Sequence, residues 1–271
     1  MVHLGNEEEH VAMRIAVIGG TGIDDLPEFA RGQRVDVATR FGSALMLRTH
    51  FADTELVFVP RHGPDHAVPP SLVNYRAQVA ALKKIGITRV IGLCAVGSLI
   101  PDLPPGSLAV LADFIDLTRR RTCTFFDEPE GPIAHTDFTE PYCPEVSAAL
   151  TEACHVRAVL FEPRAVYLGV EGPRYETPAE IKLYASWGAH VVGMTNVPEV
   201  VLAREAGLCY GALAIVSNLA CGLSPGRLSH EEVRNTVRAA AEQVVPVLRD
   251  AIARIPVEPR CTCQANTALV V

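Results

Sequence analysis

The apolar positions of the chain gather into short unbroken runs bounded by glycine, proline and polar turns, the pattern of strands buried on both faces. Residues 14–20 (RIAVIGG), 56–60, 89–95 (RVIGLCA), 108–115, 165–170, 190–194 and 210–216 (YGALAIV) all take this form. Between these runs the apolar spacing becomes that of helices. Tyr75, Val79, Ala80 and Leu82 predict one helix, preceded by Pro69-Pro70 and ended by Gly86. Thr177-Pro178-Ala179-Glu180 combines a capping residue, a first-turn proline and a reciprocal glutamate, so it predicts a second. Ile181, Tyr184 and Ala185 share its apolar face, and Gly188 ends it. Pro198 predicts the start of another. Ser229-His230-Glu231-Glu232 is a further capping box, opening a helix that carries Val233, Val237, Ala240, Val244, Leu248 and Ile252, with a kink expected at Pro246. Strands alternating with helices, with no repeat, linker or charge block between them, predict a single α/β domain. Residues 117–146 are irregular, aromatic and proline-rich, and read as a long functional loop or a subunit contact.

Polar groups collect where the strands end. Gly20-Thr21-Gly22, followed by Asp24-Asp25, is either a tight structural turn or a set of backbone N–H groups and a hydroxyl offered to an anion. The spacing of a dinucleotide fingerprint is missing, because position 25 is Asp. Arg61, His62 and His66 follow the second run, as a solvated loop or as partners for phosphate or sugar hydroxyls. Cys94-Ala95 ends the third. Arg174, Tyr175 and Glu176 occupy a loop after residue 170, Met194, Thr195 and Asn196 end the next run, and Asn218 follows the last. A parallel-type sheet would bring these ends to one edge, where ligands of open α/β sheets bind. Arg61, His62, two threonine hydroxyls and backbone N–H groups would make an anion pocket. Glu176 and Asn218, an acceptor and a donor, suit the edge of a heterocycle. Together they suggest phosphate attacking something attached to a base.

Composition narrows the partners. A chain of 271 residues with 49% hydrophobic content is long enough for one large core, and its formal net charge of −7 argues against nucleic acid. No apolar run reaches the length of a membrane span, and the N-terminus lacks a signal-peptide pattern, so a cytoplasmic protein is expected. Residues 1–12 read as a flexible extension, with Met13 as an alternative start, residues 13–256 as the domain, and 257–271 as a C-terminal tail. The eight cysteines are dispersed, and none of their spacings makes a four-ligand zinc pattern, so no metal is expected. Cys94 and Cys209 read as buried thiols. Cys261-Thr262-Cys263 reads as part of an inert polar tail, with a redox or disulfide role as the alternative.

Six ordered motifs then carry a resemblance: IGGTGID, PRHGPDH with PPSLVNY, AVGSL, EGPRYETPAE, GMTNVPEVVLAREAG and SNLACGLSPGRLSHEEV. Over roughly residues 14–255 the chain resembles the trimeric purine nucleoside phosphorylase and methylthioadenosine phosphorylase family. The resemblance implies a mixed twisted β-sheet flanked by helices, a homotrimer or a dimer of trimers, and phosphorolysis with inorganic phosphate as co-substrate and no cofactor. It implies phosphate held by Thr21, Arg61, His62, the Ala95 N–H and Thr195. Met194 would lie under the ribose, His66 near the sugar, and Tyr175 on the base. Cys94 stands where relatives carry Thr or Asn, which puts one phosphate contact in doubt, since a thiol is a weak donor.

The base-facing pair discriminates between purines. A 6-oxopurine presents an N1–H donor with O6 and N7 acceptors, which Glu176 and Asn218 complement. Adenine would set a lone pair against Glu176, a mismatch worth about 10⁴-fold or more. Adenine-specific relatives resemble this chain with Ser and Asp at the two positions. His230 matches a histidine that meets the ribose 5′-hydroxyl, where methylthio-preferring relatives are apolar. The expected function is therefore phosphorolysis of inosine and guanosine to free base and ribose 1-phosphate, with Asn218, Glu176 and His62 as the catalytic groups. The alternatives are methylthioadenosine or methylthioinosine phosphorolysis, a hydrolytic nucleosidase, and a non-catalytic nucleoside-binding protein.

Overall fold

In the computed structural model, residues 15–23, 26–30, 32–51, 54–265 and 267–270 are described. The expected N-terminal extension, Arg14 and the Asp24-Asp25 pair lie outside them. The chain order is β1 (Ile15–Gly19), α1 (Pro27–Ala30), β2 (Gln33–Thr39), β3 (Gly42–Phe51), β4 (Thr54–Pro60), α2 (Tyr75–Lys84), β5 (Arg89–Ser98), β6 (Leu108–Asp116), β7 (Ile133–Thr136), α3 (Pro144–Val156), β8 (Phe161–Gly169), α4 (Pro178–Ser186), β9 (Val191–Gly193), α5 (Asn196–Glu205), β10 (Cys209–Leu219), α6 (His230–Arg254) and β11 (Thr267–Val270).

The apolar runs are strands because both of their faces are covered. Along β1, Ala16 and Ile18 pack into a layer with α2 and α5, while Ile15 and Val17 pack into the opposite layer with α3 and α6. Hence no polar residue alternates along the run. The capping boxes predicted at Thr177 and Ser229 are both formed. α6 runs continuously past Pro246, where a kink is expected from the sequence. The β2–β3 hairpin and α3 escape an apolar-run criterion: the hairpin lies at the sheet edge, with only one face buried, and its strands carry many polar residues.

The sheet is mixed and closes on itself. Its order is β10-β6-β8-β9-β5-β1-β4-β3-β2, and β10 pairs with β5 as well, so β10, β6, β8, β9 and β5 form a ring. β1, β4, β5 and β10 run parallel and bring their carboxyl ends together. β9 departs from the parallel edge expected from the sequence, because it runs antiparallel to β5, pairing Gly97 with Val192 and Ser98 with Val191. Thr195 therefore reaches the site by running back along β5 rather than by ending beside it. On β10 the register slips between Val216 and Asn218, and Ser217 is the extra residue of a bulge.

The tail packs on the domain: Cys263 is buried, and β11 pairs antiparallel with β7 out of the irregular 117–146 segment.

Candidate active site

A cavity of about 440 Å³ opens where the four parallel strands end. Its wall contains Thr21, Arg61, His62, His66, Ala95, Tyr175, Glu176, Met194, Thr195, Asn218 and His230, so every predicted site residue except Cys94 meets there. Cys94 corrects the expectation. Its side chain is buried in the core layer with Val90 and Tyr210 rather than on the cavity wall, and burial pushes its thiol up to about 12. It is a neutral core thiol and gives the anion pocket nothing directly.

The turn after β1 is a tight structural turn, and it lies on the cavity wall. The Ile23 N–H donates to the Gly20 carbonyl, and Gly22 takes the left-handed conformation (φ +77°) that closes the turn. Thr21 is thereby presented to the cavity, with its Oγ1 3.2 Å from His66 Nε2. Gly20 lies so close to the neighbouring side chains that a Cβ there would come within 2.7 Å of His62 and 3.1 Å of Arg61 Nη1. His62 Nδ1 lies 2.8 Å from the Val68 carbonyl, which accepts only from a protonated nitrogen and so fixes that tautomer.

Arg61 is half of a buried ion pair that the sequence reading missed. Its Nε and Nη2 donate to Glu199 at 2.7 and 3.1 Å, and both side chains are 1% exposed. Burial opposes the charge on Arg61, but the Glu199 carboxylate overrides it and holds the guanidinium above its ordinary value. The pair is tied into a wider network. Tyr210 Oη donates to Glu199, Asn196 Nδ2 donates to Tyr210 Oη, and Tyr142 Oη donates to Asn196 Oδ1. Burial first, then Glu199, keep Tyr210 protonated as that donor. The backbone N–H groups of Thr195 and Asn196 donate to Tyr167 Oη, and the Thr195 hydroxyl makes no helix-cap bond, so it remains on the cavity wall. Gly92 makes room for this network, since a Cβ there would fall 2.7 Å from Tyr210 Cζ and 2.9 Å from Glu199 Oε1. One signal was available in the sequence: Glu199 is a charge inside the apolar run 197–202, where only a buried partner makes ionisation tolerable.

The base-facing groups come from two other elements. Glu176 precedes the capped start of α4 and is nearly buried, and burial, its largest influence, pushes its carboxyl up. Asn218 follows the bulge on β10. Its Oδ1 accepts from Ser217 Oγ at 2.7 Å and its Nδ2 donates to the Leu219 carbonyl at 2.9 Å, so the amide orientation is set from behind. Met194 packs against Gly172, whose φ of +65° and lack of a side chain permit the contact. Arg121, from the irregular segment, is the second residue missed: it donates to the carbonyls of Met194, Val197 and Glu171 and pairs with the Glu171 carboxylate. It braces the loop that carries Met194 and Thr195.

His230 is the first residue of α6, whose next turns pack on the β1 turn; a Cβ on Gly22 would lie 3.1 Å from Val237. That packing brings His230 to within 6.3 Å of His66, ring centre to ring centre, with His62 4.4 Å beyond. Burial, then His66, lowers the His230 pKa and favours its neutral form.

The arrangement can hold an anion between Thr21, Arg61, His62 and Thr195, and a heterocycle against Tyr175, Glu176 and Asn218. Residues 14–253 match the phosphorylase superfamily. The 6-oxopurine nucleoside phosphorylase of Pyrococcus furiosus is 43% identical over 257 residues, covering 93% of this chain and 96% of that protein. A protein of Methanocaldococcus jannaschii named "Probable S-methyl-5'-thioinosine phosphorylase" is 40% identical, covering 92% and 96%. Methylthioadenosine phosphorylase from Schistosoma mansoni, solved in complex with adenine, superposes with a TM-score of 0.87 at 33% identity, covering 94% of this chain and 96% of that one. The chain belongs to the phosphorylase superfamily and has the nucleoside phosphorylase fold.

Proposed function

We propose that this chain is a purine nucleoside phosphorylase that cleaves 6-oxopurine nucleosides, inosine and guanosine, to the free base and ribose 1-phosphate. The observation that carries the reading is that Glu176 and Asn218 face the same cavity as Thr21, Arg61, His62 and Thr195. An ionised Glu176 accepts from purine N1–H, and Asn218 donates to O6 or N7, a pairing that adenine reverses. Relatives named as 6-oxopurine nucleoside phosphorylases support the same substrate class.

In this reading a phosphate oxygen attacks C1′ while the glycosidic C–N bond breaks and its electron pair moves onto the purine. Arg61 Nη1, His62, Thr21 and Thr195 orient the phosphate, so attack begins from a positioned anion. Glu199 has a defined part: it holds Arg61 by Nε and Nη2 and fixes the guanidinium plane, leaving the Nη1 edge for phosphate. Asn218 stabilises the charge that develops on the base, from an orientation already set by Ser217 and Leu219. The reaction so written requires no cofactor beyond inorganic phosphate. By the same family resemblance, the chain works as a homotrimer or a dimer of trimers in cytoplasmic purine salvage.

A second reading, methylthioinosine as substrate, is favoured by the 40% identity to the protein of Methanocaldococcus jannaschii. It differs only at the 5′ position, where His230 and His66 offer polar rather than apolar contact. The test is phosphorolysis of inosine, guanosine, adenosine, methylthioadenosine and methylthioinosine, each with and without phosphate. Phosphate-dependent release of hypoxanthine, with adenosine untouched, is the expected result. Preferred cleavage of methylthioadenosine would overturn the base assignment, and turnover independent of phosphate would overturn the phosphorylase reading.

A further inference from the structure

Away from the cavity, four cysteines from three distant parts of the chain converge. Cys143 is the N-cap of α3, Cys209 opens β10, and Cys261 and Cys263 come from the C-terminal tail. Their four sulfur atoms all lie within 4.8 Å of one another. Cys261 Sγ is 3.7 Å from Cys143 Sγ and 3.4 Å from Cys209 Sγ. Four sulfurs bound to one zinc ion at about 2.3 Å define a tetrahedron with edges of about 3.8 Å. The observed separations are close to that edge and far from the roughly 2.05 Å of a disulfide.

Two buried cations are aimed at the same sulfurs. Arg89 Nη1 donates to Cys209 Sγ at 2.9 Å, and Arg204 Nη1 to Cys263 Sγ at 3.4 Å, with both arginines almost wholly buried. A guanidinium gains little from a neutral thiol, whereas a thiolate beside it offsets the cost of burial. Four thiolates around one divalent ion carry a net charge of −2. Arg89 and Arg204 oppose it with +2, and Glu145, 3.3 Å from Arg89 and partly exposed, adds −1 at the rim. Such donors to ligand atoms are the outer shell that metal sites use to orient and tune their ligands.

We propose that Cys143, Cys209, Cys261 and Cys263 form a structural tetrathiolate site for zinc. Binding converts four thiols and one Zn²⁺ into a Zn(S-Cys)₄ centre and releases four protons, with no change of oxidation state. All four positions are filled by protein, so the site is closed to substrate and does no chemistry. Its role is to fasten the tail to the core between α3 and β10, where each chain segment alone has no other covalent anchor. The sequence hides the site because only Cys261 and Cys263 are near neighbours. Their single-residue spacing is shorter than the usual two to four. The site is independent of the substrate reading, since none of its residues lines the cavity.

The test begins with the untagged chain, purified under reducing conditions, and elemental analysis by mass spectrometry. About one zinc per chain is expected, released when the thiols are titrated with an organomercurial. Cys261→Ser and Cys263→Ser, both on the tail, should lower the content to near zero, while Cys123→Ser, at an exposed position elsewhere, should leave it unchanged. Because a cysteine variant can fail to fold, the wild-type chain is also stripped, reduced and given Co²⁺. The intense visible bands of tetrahedral thiolate-bound cobalt should appear and fade on adding Zn²⁺. A metal-free chain that takes up neither ion after full reduction overturns the proposal, whether its cysteines are found as thiols or as disulfides.

Discussion

Glu199→Gln removes the negative charge of the buried pair behind the cavity. The amide has nearly the shape of the carboxylate, and its one oxygen can still accept from Arg61 Nη2 and Tyr210, so packing is preserved while the negative charge and the bond from Arg61 Nε are lost. Both members of the pair are 1% exposed, so solvent does little to screen the guanidinium that remains. Removing one partner of such a pair typically destabilises by about 3–5 kcal/mol. With about 2–4 °C per kcal/mol for a chain of this size, the melting temperature in phosphate-free buffer should fall by roughly 6–20 °C. Phosphate offers the missing negative charge, so adding it should raise the melting temperature of the variant more than that of the wild type. Differential scanning fluorimetry over a phosphate series reads both effects. A variant melting within about 2 °C of the wild type, or equal phosphate shifts in the two proteins, would refute the argument that Glu199 is the counter-charge of Arg61.

Glu176, whose carboxyl is raised chiefly by burial, should give kcat/KM for inosine an acid limb above the ordinary carboxylate range, because only the ionised form accepts from N1–H. Activity then falls as pH drops through the raised value; Glu176→Gln should abolish that limb and lower kcat/KM about 10–100-fold, and an unchanged limb in the variant would assign it to another group. His230→Leu should lower kcat/KM for inosine by up to about 10-fold and raise it for methylthioinosine; an unmoved ratio between the two substrates would remove His230 from the 5′ subsite. Gly92→Ala places a methyl group against Tyr210 and Glu199, and overpacking of about 1–3 kcal/mol should appear as a lower denaturant midpoint, whereas Gly97→Ala meets its nearest neighbour, Asn218 Nδ2, at 3.2 Å and should act on turnover more than on stability. Stability of the Gly92 variant equal to wild type would mean that the network yields more easily than its burial suggests.

Local sequence determined the elements and most of the cavity wall. IAVIG and YGALAIV are strands because sustained apolar runs can be satisfied only by cover on both faces, and Thr177 and Ser229 start helices because their capping boxes satisfy N–H groups that no turn of helix can reach. Chemistry-bearing residues at strand ends, such as Thr21, His62 and Asn218, were legible for the same reason: a strand must end in a loop, and parallel strands end together. Tertiary structure decided what depends on direction and on contact between distant segments. The antiparallel course of β9 sends Thr195 back along β5, and Cys94 lies one residue too deep in β5 to join Ala95 and Val96 on the cavity wall. Glu199 meets Arg61 across 138 positions, and Cys143, Cys209 and Cys261 meet across as many as 118. No local pattern encodes such pairings, because a charge or a thiol has the same neighbours in sequence whether or not the fold later supplies its partner.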